Sequence, residues 1–153
     1  MKTLLKLLAL LLFVSLNLTT LPAYAETNAI YTGYFSDKAA SGYDVVAYFI
    51  AGKPMQGSKT FSHSHAGATW LFSSAANRDA FVSDPAKYSP QYGGYCAWAI
   101  SQNKTASGDP EFWKIVDGKL YFNYDAEVQK KWEASIPSFI AAADKHWPTL
   151  LKE

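Results

Sequence analysis

Trp113-Lys114-Ile115-Val116-Asp117-Gly118-Lys119-Leu120-Tyr121-Phe122-Asn123-Tyr124 decides the fold class. Lys114-Ile115-Val116 and Leu120-Tyr121-Phe122 are short β-prone runs, and Asp117-Gly118 between them suits the positive φ angles of a two-residue hairpin turn. The periodicity then changes. Asp125 offers a helix cap, and Val128, Trp132 and Ile136 recur at every fourth residue, the spacing of one helix face. A hairpin running straight into a helix indicates α+β architecture, because a parallel α/β sheet needs strand-helix-strand crossovers.

The same irregular alternation extends outward. Upstream, 59–65 and 69–72 predict a second hairpin turning at Ala66-Gly67-Ala68. Ser73-Ser74 can cap a helix over 75–83 with Ala76, Ala80 and Phe81 inward, ended by Asp84-Pro85. Residues 88–94 form an aromatic loop with two glycines, and 95–102 have helical spacing with Cys96, Ala99 and Ile100 along one side. The apolar run 45–50 is a short helix or a strand; its length does not decide between them. Downstream, Pro137 breaks or restarts the last helix, and Phe139, Ile140, Ala143 and Trp147 continue an apolar stripe before Pro148. The expectation is a small single α+β domain of short antiparallel hairpins packed against several helices.

The first residues carry an address. Lys2 and Lys6 precede an apolar run over 7–18, and Ala23-Tyr24-Ala25 presents the small residues that a signal peptidase reads. The run is shorter than the ~20 residues needed to cross a bilayer. Residues 1–25 are therefore expected to be a cleaved export signal, 26–40 a flexible leader and 41–150 the domain, in the periplasm or secreted. No cysteine near the cut offers a lipid anchor, and no Arg-Arg pair precedes the apolar run, which points to the general export route. Of fourteen basic and thirteen acidic residues, the signal removes two lysines, so the mature net charge is −1. That balance gives no support for nucleic-acid or anionic-membrane binding.

One cysteine is unusual in an exported domain, since Cys96 has no partner for an internal disulfide. Placed in the first turn of a helix, its thiol pKa would be lowered by free N–H groups and the helix dipole. It is either such an active thiol or a small buried hydrophobe beside Ala99 and Ile100. His63 and His65, two apart on a strand, face the same way; they are solvated or share a copper or zinc ion with a third ligand, for which Cys96 is the candidate. His146 is expected to be structural or solvated, and Asp44, Asp109 and Glu111 bear no mark of a catalytic pair. Tyr88, Tyr92, Tyr95 and Trp98 line a pocket or build a core cluster. No P-loop, G-x-S-x-G, H-E-x-x-H or C-x-x-C is present.

Gly67-Ala68-Thr69-Trp70-Leu71-Phe72-Ser73-Ser74-Ala75-Ala76-Asn77-Arg78-Asp79-Ala80-Phe81, with Asp84-Pro85-Ala86-Lys87-Tyr88, resembles a YHS domain. Gly42-Tyr43-Asp44-Val45-Val46-Ala47-Tyr48-Phe49 and Gln91-Tyr92-Gly93-Gly94-Tyr95-Cys96-Ala97 resemble the exported bacterial branch of that family. The likeness runs from about Ser41 to Pro148. It implies metal-linked chemistry, which the family is presumed to perform through paired cysteines; this chain has serine at the family position in Leu71-Phe72-Ser73-Ser74. Selenocysteine at the position matching Cys96 in the branch implies redox or soft-metal chemistry there. The leading expectation is an exported, non-catalytic protein binding a soft metal ion, copper first, through Cys96 with His63 and His65. The rivals are a thiol-dependent redox protein acting on peroxides or disulfides with Cys96 as catalytic nucleophile, and a partner-binding module using the aromatic loop.

Overall fold

The computed structural model describes residues 27–152; the expected signal peptide, 1–25, lies outside them. In chain order these residues form α1 (Ala47–Ile50), β1 (Ser58–His65), β2 (Ala68–Phe72), α2 (Ala75–Ser83), α3 (Pro85–Tyr88), α4 (Ala97–Ser101), β3 (Asp109–Val116), β4 (Lys119–Asn123), α5 (Ala126–Glu133) and α6 (Ile136–Leu150). The strands make two antiparallel two-stranded sheets, β1-β2 and β3-β4. The domain is α+β, as its hairpins predict.

Both hairpins close on two residues in the left-handed region. Val116 pairs with Lys119 across Asp117 and Gly118, whose φ angles are 50° and 74°. His65 pairs with Ala68 across Ala66 and Gly67, at 51° and 77°, so this turn is one residue tighter than the sequence suggests. These angles give the turn a twist that matches the strands it joins. The helix starts follow their caps: the Ser74 side chain accepts from the Asn77 N–H at 3.1 Å, and Asp125 accepts from Val128 N–H at 2.8 Å. Pro137 falls in the first turn of α6, where its missing N–H costs no hydrogen bond. The helix continues through Pro148 to Leu150.

β4 divides the core. Residues alternate faces along a strand, and here both faces are covered. Leu120 and Phe122 join Val45, Tyr48, Trp70, Phe72 and Phe81 on one side; Tyr121 joins Tyr92, Ile100, Trp132 and Leu150 on the other. The sequence 120–122 is accordingly apolar without interruption. The rings are the bulk of this core: Tyr121 lies 5.3 Å from Trp132, and Phe81 4.8 Å from Trp70, centroid to centroid. Burying one such ring contributes about 1.5–3 kcal/mol.

Several expectations change. On α2 Ala76 is exposed and Asn77 is buried in its stead, for a reason given below. The run 45–50 resolves into the short helix α1. Cys96 precedes α4 as its cap residue, instead of sitting within its first turn. The leader 26–40 is tied to the domain over its described part. Tyr31 N–H donates to the Gly93 carbonyl at 3.0 Å, Thr69 N–H to the Asp37 carbonyl at 2.7 Å, and Ala39 and Ala40 are core residues. The double glycine makes the first contact possible, because a Cβ on Gly93 would collide with the Ala29 carbonyl oxygen.

Candidate functional site

Asp44 is fully buried, yet its carboxylate is saturated with donors. Oδ1 accepts from the N–H groups of Val46 (2.9 Å) and Ala47 (3.3 Å), starting α1. Oδ2 accepts from Ser73 N–H (2.8 Å), Ser73 Oγ–H (2.6 Å) and Asn77 Nδ2–H (2.6 Å). A buried charge needs such partners, which is why α2 turns Asn77 inward and leaves Ala76 outside. Ser73, the position at which the YHS resemblance implies cysteine, has its hydroxyl committed to this anchor. The role of Asp44 is to fasten α1, β2 and α2 together.

Cys96 is 1% exposed, between the end of β4 and the start of α4. Its thiol lies 3.8 Å from Asn123 Oδ1, which also accepts from Trp98 N–H at 3.3 Å. Burial pushes the thiol up from its ordinary value, and the backbone N–H groups of Ala99, Tyr124 and Trp98 offset this only in part. The helix-start effect expected from the sequence is therefore present but outweighed by desolvation. A thiol in this state is mostly protonated at neutral pH and is a weak nucleophile. Beside it, Asn123 Nδ2 is buried without a partner among the described residues.

His63 and His65 do share one face of β1, as predicted. Both are half-buried, their rings 6.4 Å apart and nearly parallel, and both pack edge-on against Phe81. Cys96 is not brought to them. Among the described residues no group of three or more His, Cys, Asp or Glu side chains is placed to hold a metal ion. With Ser73 engaged by Asp44 and Cys96 enclosed beside Asn123 with no second metal donor grouped with it, this donor set does not fit the metal site that the resemblance implies. His146 is half-buried, with Nδ1 3.3 Å from the Ile100 carbonyl oxygen, a structural position. Tyr92 and Tyr95 belong to the core, with Tyr88 and Trp98 partly buried, so the aromatic loop is largely interior.

The open space lies elsewhere. Two adjoining cavities of about 390 and 560 Å³ have Tyr31, Ser107 and Tyr124 in common on their walls, a groove of two arms. The first arm is neutral, with Tyr34, Tyr95 and Thr105 on its wall; the second adds Tyr43, Phe112, Asp109 and Asp125. Several wall residues have an identifiable support. Tyr31 is fixed through Gly93 and packs on the Tyr95 ring at 5.1 Å. Tyr95 bridges to Ser107, Tyr124 follows the last residue of β4, and Asp125 is the cap of α5. Tyr43 Oη–H donates to Glu111 Oε1 at 2.8 Å. Cys96 lies one residue behind this wall, its N–H bonded to the Ala106 carbonyl at 2.9 Å.

Sequence reasoning named Tyr95 as a pocket-lining candidate but missed the rest of the groove, because five separated segments build it. A second local signal was Gly93-Gly94, which marks where the leader crosses the domain and delivers Tyr31. No family model, curated protein or solved structure matches the chain.

Proposed function

We propose that this chain is an exported, non-catalytic binding protein of the YHS type whose ligand occupies the tyrosine-walled groove, with Cys96 a structural thiol behind it. The observation that carries the reading is the adjacency of the two cavities, which have Tyr31, Ser107 and Tyr124 in common. Their volumes fall within the ~300–1,000 Å³ usual for small-molecule sites, and aromatic walls with a few polar groups are the usual lining. Two facts set this reading above a thiol-centred one: Cys96 is enclosed with its thiol pKa raised, and its expected metal partners face a different ring, Phe81. Residues 1–25, with their basic start, apolar run and Ala23-Tyr24-Ala25, remain the basis for assigning it to export, into the periplasm or beyond the cell. The test is an amide NMR perturbation map with a mixed set of small fragments. Shifts centred on Tyr31, Ser107 and Tyr124 are expected; shifts centred on Cys96 or on His63 and His65 would overturn the proposal.

A further inference from the structure

The two arms of the groove differ in charge, and that difference specifies a ligand class. We infer that the groove takes a small organic ammonium ion, its cationic head in the arm of Asp109 and Asp125 and its body along the neutral tyrosine arm. This rests on the binding reading above. Among the described residues, Asp109 and Asp125 are the only charged side chains that line either cavity. Each uses one oxygen locally, Asp109 Oδ1 accepting from Glu111 N–H at 2.9 Å and Asp125 Oδ1 from Val128 N–H at 2.8 Å. Neither forms an ion pair with a Lys, Arg or His among the described residues. The carboxylates do not stand alone, because Tyr31, Tyr43, Phe112 and Tyr124 line the same arm.

Aromatic faces attract cations through the ring quadrupole, and a ring wall with carboxylates favours an ammonium head carrying apolar substituents. Tyr43 is suited to this, since donating its proton toward Glu111 makes its ring richer in electrons. An anionic ligand would meet only like charge here, and a neutral one would leave both carboxylates uncompensated as it displaced water from them.

The probe is choline, titrated into the full mature chain by calorimetry beside 3,3-dimethylbutan-1-ol, which replaces the nitrogen by carbon at nearly equal shape. Choline is expected to bind at least about tenfold more tightly, and to weaken in high salt as surface carboxylates are screened. Asp109→Asn and Asp125→Asn, which keep an oxygen for the local N–H, should each reduce choline binding severalfold. Equal binding of the two probes, or choline binding that both variants leave unchanged, overturns the ammonium assignment while the groove reading stands. Absence of choline binding alongside groove shifts from other fragments likewise overturns the ammonium assignment alone. Absence of groove shifts from every fragment overturns both readings.

Discussion

Five donors from three segments converge on the Asp44 carboxylate, and Asp44→Asn separates its charge from its shape. The amide oxygen can replace one carboxylate oxygen, but the Nδ2 group then points a donor at other donors. Loss of charge-assisted bonds in a buried site, with donors left unpaired, should destabilise the domain by about 3 kcal/mol. Urea unfolding of the variant measures this; a loss below about 1 kcal/mol would contradict the hub described here. The sequence pointed to Asp44 without disclosing its role. A lone carboxylate beside a turn carries no local mark of the Ser73 and Asn77 donors that reach it from 29 and 33 residues away. The same blindness misplaced Ala76, because helix patterning puts an alanine inward unless a distant charge requires an asparagine there.

At the scale of elements, local chemistry made much of the fold legible. Asp117-Gly118, Ser74 and Asp125 each act within three residues, so their turn and caps could be read directly. The first hairpin was less clear since Ala66 is an unfavourable residue for its left-handed conformation at φ 51°. An L-residue with a Cβ there costs about 1–2 kcal/mol, and asparagine tolerates the region better. Ala66→Asn should therefore raise stability by about 0.5–1 kcal/mol, visible as a higher thermal midpoint. A destabilised variant would mean that the β1-β2 turn has a different geometry. The leader was illegible for the opposite reason. Its contacts are to Gly93 and Thr69, distant positions in the chain, and a weakly periodic segment shows nothing of a docking site formed elsewhere.

At the scale of the molecule, the buried phenols and thiol set a pH limit. Burial raises the pKa values of Cys96, Tyr48, Tyr92 and Tyr95, and pushes Tyr121 up to about 12. In the unfolded chain these groups ionise near their ordinary values, 9.0 for the thiol and 10.0 for the phenols. Above those values the unfolded state binds fewer protons than the native state, so stability falls as pH rises, by up to about 1.4 kcal/mol per pH unit for each group. The stabilisation is complete below pH 9.0 and declines through the window between unfolded and folded values. Thermal midpoints should be level to about pH 9 and fall more steeply beyond about 10, with Cys96→Ser removing only the first part of the fall. A midpoint unchanged to about pH 11 would contradict the enclosed aromatic core.

The whole molecule is also the scale at which function was least legible. Tyrosines that face the groove and tyrosines that fill the core look alike in one dimension: Tyr92 is interior, while Tyr124 is 53% exposed. Cys96, His63 and His65 drew attention because of their chemistry, and folding keeps the two imidazoles together without bringing Cys96 to them. On the proposed function, binding belongs to the groove and not to the thiol. The decisive experiment is the fragment perturbation map recorded on wild type, Cys96→Ser and Tyr124→Ala under identical conditions. Wild type and Cys96→Ser should give the same map and affinity, with at least about a tenfold loss for Tyr124→Ala, in keeping with removal of an aromatic wall. Binding that survives Tyr124→Ala but vanishes in Cys96→Ser would contradict the proposal and return the function to the buried thiol.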